Sequence, residues 1–216
     1  MPTRFDRAGF QALLGLDDAT LARFDAYAAL LTRWQQRINL VGPATLAEVW
    51  HRHFADSAQL LLAWRNAGRA DPATILDIGS GAGFPGLVLA ILTDAKVHLV
   101  EADQRKAAFL RQAALATGAN PDLHRQRIES VAPFPADIIT ARACAPLERL
   151  LPWALPFAHT HTEFWFLKGQ DADAELTRLE KSWTVTVGGY ASRTDPAARI
   201  LRLRDIRPKS PPEGAQ

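Results

Sequence analysis

The residues with the clearest chemical purpose form one run, Ile75-Leu76-Asp77-Ile78-Gly79-Ser80-Gly81-Ala82-Gly83-Phe84-Pro85-Gly86. A short apolar stretch ends in a carboxylate, Asp77, and passes into glycines at every second position. Without a Cβ such a loop can turn sharply and bring its backbone N–H groups against a ligand. Pro85 suits the first turn of a following helix, where its missing donor costs nothing. Strand, glycine turn and helix in that order make the cofactor crevice of an open parallel sheet. Two registers overlap in the run. Gly81, Gly83 and Gly86 satisfy the dinucleotide fingerprint G-x-G-x-x-G. Asp77 with Gly79, Gly81 and Gly83 satisfies D-x-G-x-G-x-G, the pattern typical of S-adenosylmethionine (AdoMet) methyltransferases. The run alone does not choose between a nicotinamide-dependent oxidoreductase, an AdoMet enzyme and a non-catalytic nucleotide-binding module.

Other side chains fall where the same crevice would reach them. Glu101 ends the apolar segment Val97-His98-Leu99-Val100 and can accept from ribose hydroxyls. Arg127-Ile128-Glu129 follows a third strand; Ile128 offers a backbone N–H and apolar surface to an adenine, and Glu129 an acceptor for its amino group. Arg142 closes the strand Asp137–Ala141, where a cofactor carboxylate or an RNA phosphate would meet it. Lys168 closes Phe164-Trp165-Phe166-Leu167, placed to contact a phosphate or to hold Asp77 or the partner of Arg142. His53 and Asp56, three apart, share a helical face and form a candidate hydrogen-bonded pair. No serine elbow accompanies them, which argues against a hydrolytic triad. Six histidines and the single Cys144 show no zinc spacing.

These residues need elements to carry them. Residues 1–70 read as a helical extension: Asp18 as the cap of a helix with Leu21, Phe24, Ala28, Leu31 and Trp34 on one stripe, a break at Gly42-Pro43, and Thr45 with Glu48 at capping-box spacing. Strands are expected at 74–78, 97–101, 122–125, 136–141, 163–167, 183–190 and 199–206, and helices near 85–92, 103–117, 146–158 and 171–180. The alternation implies right-handed crossovers and a mostly parallel sheet over 71–207, with the last two strands as an edge hairpin. From Pro208 to 216 a flexible tail is expected. With 216 residues, 48% hydrophobic and 22% charged, the chain suits one globular domain plus an appendage. The +2 net charge is too small to announce nucleic-acid binding, though Arg105-Lys106 and Arg125 with Arg127 cluster locally. No apolar signal core opens the chain, and a lone cysteine fits a reducing cytoplasm.

Taken together, the chain resembles the small-subunit ribosomal RNA guanine-N7 methyltransferase family (RsmG, once called glucose-inhibited division protein B). The resemblance rests on Ile38-Asn39-Leu40, Arg52-His53-x-x-Asp56-Ser57, the glycine run through Gly83-Phe84-Pro85-Gly86, Arg127-Ile128-Glu129, Arg142-Ala143 and Leu167-Lys168-Gly169. It implies a Rossmann-like class I AdoMet-dependent methyltransferase fold, a seven-stranded mostly parallel sheet with an N-terminal helical extension. AdoMet would be the methyl donor and a guanine in the decoding region of 16S rRNA the acceptor. By the family pattern, cofactor contacts fall on Gly79, Phe84, Ile128, Glu129 and Arg142; Asp77, Gly81, Gly83 and Glu101 complete the expected set. Arg142 and Lys168 are the expected catalytic residues, and His53, Arg105, Lys106, Arg125 and Arg127 the expected RNA contacts. A cytoplasmic monomer without a metal is expected. Val41 departs from the family, which usually has Thr after Asn-Leu.

Overall fold

The computed structural model describes residues 5–209. One seven-stranded sheet runs through it in the order β3-β2-β1-β4-β5-β7-β6. Its strands are β1 (Thr74–Ile78), β2 (Lys96–Val100), β3 (Asp122–His124), β4 (Ala136–Arg142), β5 (Ala158–Lys168), β6 (Trp183–Ala191) and β7 (Arg199–Pro208). β1 to β5 pair in parallel, while β7 is antiparallel to both β5 and β6. The edge hairpin is therefore present, with β7 turned inward.

Helices cover both faces. Successive side chains of a strand point to opposite sides, and the core divides accordingly. Ile75, Ile138, Trp165 and Leu167 join a cluster with Phe10, Phe24, Tyr27, Phe54, Trp64, Phe84 and Phe109. These come from α1 (Arg7–Leu14), α2 (Asp18–Gln35), α4 (Asp56–Asn66) and α6 (Gln104–Thr117), with Phe54 on the turn before α4 and Phe84 on the loop before α5 (Gly86–Leu92). Leu76, Ile78, Ile139, Phe164 and Phe166 join the opposite cluster, under α7 (Leu147–Ala154) and α8 (Ala172–Leu179). The N-terminal helices thus share one core with β1, β2, β4 and β5.

Local chemistry sets the element ends, and three differ from expectation. Asp17, not Asp18, caps α2: its carboxylate accepts from Thr20 N at 2.7 Å. Thr45 caps nothing; it lies inside the four-residue α3 (Pro43–Leu46), and its hydroxyl turns to the Gly42 carbonyl and the His53 ring. Trp50–Ala55 is a π-helical turn, running into α4. That wider turn replaces the 3.6-residue period on which a His53–Asp56 pair depended. Pro208 ends β7, and Lys209 N still donates to Ser182 O at 2.9 Å, so these two residues belong to the sheet edge and not to the expected tail. Its residues 210–216 lie outside the described residues.

Candidate functional site: two adjoining clefts at the carboxyl edge of the sheet

The glycine run forms the turn from β1 into α5. Gly79 N and Ser80 N both donate to Val100 O at 3.0 Å, hanging the loop on the end of β2. At Gly79, φ is +69°, and a Cβ would stand 2.4 Å from Cys144 Sγ. At Gly83, φ is +92°, and a Cβ would meet Leu87 Cβ at 2.8 Å. Tyr27 closes the far side, donating its hydroxyl to Ala82 O. Asp77 lies beneath this loop, fully buried. It accepts from Gly86 N at 3.1 Å and from the Thr140 hydroxyl at 3.0 Å. Burial pushes its carboxyl up to about 6, against hydrogen bonds that favour the charged form. Phe84 is buried too, stacked between Tyr27 at 5.5 Å and His53 at 4.9 Å. The structure sets both residues behind the loop, as its braces.

In front of the loop lies a cleft of about 330 Å³. Gly79 and Ile78 form its floor, Glu101 its rim, Ile128, Glu129 and Arg127 one wall, and Cys144-Ala145-Pro146 the other. Glu101 accepts from Gly81 N at 2.8 Å and Asp103 N at 2.7 Å, which fixes its carboxylate while leaving lone pairs unused. Five expected cofactor residues and contacts thus meet in one place: Gly79, Gly81 through Glu101, Glu101 itself, Ile128 and Glu129. An acidic acceptor, an apolar slot and a floor opened by Gly79 suit an adenosine. Its volume lies within the range of small-ligand pockets.

A second cleft, of about 640 Å³, shares the Cys144-Ala145-Pro146 wall. Ala143, in left-handed conformation with φ +49°, turns the chain between Arg142 and that wall. The guanidinium of Arg142 stands 4.9 Å over the Phe84 ring. It donates to Asp56 Oδ2 at 3.0 Å, Arg52 O at 3.2 Å and His53 Nδ1 at 3.2 Å. Arginine only donates, so His53 Nδ1 is the acceptor and Nε2 carries the proton. Nε2 gives it to Thr45 Oγ1 at 2.8 Å, whose hydroxyl donates to Gly42 O at 2.8 Å. Burial, reinforced by the Arg142 and Arg52 charges, pulls the His53 ring down to about 3. The ring is neutral and 6% exposed, a strut for Arg142 rather than a surface contact. Three hydrogen bonds leave two of the five guanidinium N–H groups for a ligand.

Lys168 lines the same cleft from the other face of the sheet. It pairs with Glu175 at 2.8 Å and donates to Ala145 O at 2.7 Å; neither Asp77 nor a partner of Arg142 is among its contacts. Glu175 had no signal in the sequence, since only the fold brings α8 over β5. Asp56 does more than pair: it also accepts from Gln59 and Thr194, tying α4 to the β6–β7 turn. The basic residues scatter. Arg127 lines the first cleft, Arg125 a groove beside α6 and β3, and Arg105 with Lys106 a third cleft near the end of α2.

The sheet order and the paired clefts fit one class, the class I fold of AdoMet-dependent methyltransferases. The same fold occurs in the magnesium protoporphyrin IX methyltransferase of Synechocystis PCC 6803 with bound SAM (TM-score 0.58, 17% identity, 88% of this chain and 98% of that one). It occurs also in cofactor-bound Rv0187 from MTB (TM-score 0.61, 17% identity, 94% and 98%). The family model described as rRNA small subunit methyltransferase G matches residues 20–193. Relatives named ribosomal RNA small subunit methyltransferase G are 51% identical in Rhodospirillum rubrum, over 91% of this chain and 96% of that one, and 50% identical in Rhodospirillum centenum, over 95% and 93%. The chain belongs to the rRNA small subunit methyltransferase G family.

Proposed function

We propose that this enzyme transfers a methyl group from AdoMet to N7 of a guanine in the decoding region of 16S rRNA, as a cytoplasmic monomer without a metal. The observation that carries this reading is the common wall: Cys144-Ala145-Pro146 lines both the adenosine-sized cleft and the larger one beside it. A donor in the first and a base in the second would meet across it. Gly79, Glu101, Ile128 and Glu129 would hold the donor, which brings an electrophilic sulfonium methyl group. Gly81 and Gly83 shape the turn, and Asp77 and Phe84 brace it. Among the described residues, no helix is long and apolar enough to cross a membrane.

Guanine N7 carries an exposed lone pair and needs no deprotonation, so no general base is required. The groups around the second cleft fit that economy. His53 is neutral with both ring nitrogens engaged, and Lys168 is neutralised by Glu175. Rate then comes from holding N7 about 3–3.5 Å from the methyl carbon in line. Arg142, with two unspent donors on a guidance frame of Asp56, His53 and Phe84, would orient the donor's carboxylate or the base. Lys168, fixed to the Ala145 carbonyl, would hold the common wall in place. The target base has to leave its stack to expose its reacting edge.

The test is a methyl-transfer assay with labelled AdoMet on small-subunit RNA from cells that lack the protein, followed by mapping of the product nucleotide. Label on N7 of one guanine is expected. Label at another atom or in another RNA would refute the assignment.

A further inference from the structure

Each Lys or Arg around the second cleft faces a carboxylate. Arg142 pairs with Asp56 at 3.0 Å, Arg52 with Asp195 at 3.2 Å, Lys168 with Glu175 at 2.8 Å and Arg199 with Asp173 at 3.4 Å. Such a cleft suits a neutral base, not the phosphates on either side of it. Backbone charge has to be met elsewhere.

The third cleft, of about 450 Å³, has the opposite character. It is lined by Gln35, Gln36, Arg37, Ile38, Asn39, Asp103, Arg105 and Lys106. Among the described residues, neither the Arg37 guanidinium nor the Lys106 ammonium makes an ion pair or a side-chain hydrogen bond, and Arg105 approaches Asp103 only at 3.9 Å. Asp103 is the one acid there, and its Oδ1 caps α6, accepting from Arg105 N at 2.8 Å and Lys106 N at 3.1 Å. Three cations against one acid leave the lining net positive.

The loop that carries Arg37 and Asn39 is held in shape. The Gln35 side chain accepts from Leu40 N at 2.9 Å and Val41 N at 3.0 Å, and donates to Val41 O at 2.8 Å. All three contacts are to backbone, so Val41 serves as well as any residue at that position. This clamp matters because the loop borders two clefts. Gln35–Asn39 line the basic one, and Leu40, Val41, Gly42 and Thr45 line the second. Asn39 and Leu40 are consecutive, about 3.8 Å apart at Cα, so the clefts adjoin.

Resting on the function proposed above, we infer that Arg37, Arg105 and Lys106 form a phosphate subsite on the Gln35-clamped ledge, which grips the RNA backbone beside the target nucleotide. Arginine offers forked donors and lysine a point charge, both suited to phosphate oxygens. The ledge carries the strand toward the base cleft, where the pairing of every cation leaves room for an uncharged ring.

The experiment compares wild type with Arg37→Ala, with Arg105→Ala/Lys106→Ala and with all three combined; Arg178→Ala, a paired surface arginine on α8, is the control. Binding of a short single-stranded RNA is measured across salt concentrations, AdoMet binding by calorimetry, and methylation kinetics on small-subunit RNA. Each phosphate contact contributes about 0.7 to the slope of log affinity against log salt for single strands. The triple variant should therefore lose about 2 from that slope, raise KM for RNA at least tenfold, and keep both kcat and AdoMet affinity. An unchanged slope and KM would overturn the subsite. So would a collapse of AdoMet affinity, which would make the ledge a wall of the donor site. Should wild type methylate no small-subunit RNA while the slope still falls as stated, the function proposed above fails and the anion subsite stands.

Discussion

Asp77 permits a prediction whose sign and size follow from its surroundings. The carboxyl sits at about 6 in the folded chain because burial disfavours its charged form, against an ordinary value of 3.8. The folded state therefore holds a proton that the unfolded state has released, and stability falls as pH rises through this window. The shift is about two units at 1.36 kcal/mol each, so the full loss between pH 4 and pH 7 is about 3 kcal/mol. That is a large share of a typical 5–15 kcal/mol. The wild-type curve alone would not reveal it. His53, depressed to about 3 by burial and by Arg142 and Arg52, has the opposite sign: its contribution is present above its unfolded value near 6.5 and fades as pH falls. The two partly cancel over the same range. Asp77→Asn removes one titration and keeps the other. Its amide oxygen can accept from Gly86 N–H while its NH2 faces the Thr140 hydroxyl, as a protonated carboxyl does, so variant and wild type are close in stability at pH 4. The difference in unfolding free energy, variant minus wild type, should then rise by about 3 kcal/mol from pH 4 to pH 7. Urea unfolding at closely spaced pH values, without ligand, reads this directly. A difference that stays flat within about 0.5 kcal/mol, or falls with pH, would refute the placement of a strained carboxylate beneath the loop.

Other expectations follow from the same contacts. Gly79→Ala places a Cβ 2.4 Å from Cys144 Sγ in a left-handed residue; it should cost about 1–2 kcal/mol in stability and at least tenfold in AdoMet affinity by calorimetry, with Cys144→Ala restoring only part. Arg142→Ala removes an oriented pair of donors and should cut kcat about 10²–10³-fold with a cooperative thermal transition retained; wild-type turnover would take Arg142 out of the site. Glu175→Gln neutralises the partner of Lys168, and should alter kcat and KM less than Lys168→Ala does, because the bond from Lys168 to Ala145 O survives; equal losses would show that charge, not the wall, is what Lys168 supplies.

The period of two in a β-strand explains what sequence could and could not reveal about this site. The alternation of apolar runs with helical stretches placed all seven strands, with β1 at the expected bounds and β4 within one residue, while β5 begins at Ala158, five residues before the expected start. It also made the rim legible. Gly79, Glu101, Ile128 and Glu129 each follow the carboxyl end of a parallel strand, and in an open sheet those ends converge on one crevice. Which face each neighbour takes was equally determined, yet had no visible consequence until partners were known. Asp77, Thr140 and Arg142 share the face of the N-terminal helices, so Asp77 finds a hydroxyl and a helix N–H under the loop, and Arg142 finds Asp56 and His53. Lys168 lies toward the other face and finds Glu175 on α8. Thr140 lies 63 positions from Asp77, and Asp56 and His53 lie 86 and 89 from Arg142; no local pattern encodes such distances. The π-helical turn at Trp50–Ala55 compounded this, since it breaks the spacing that linked His53 to Asp56 and directs both toward Arg142 instead. A site assembled from strand ends is therefore readable as a rim of ligand contacts, while the frame that orients those contacts becomes visible only when the layers on each face of the sheet are packed.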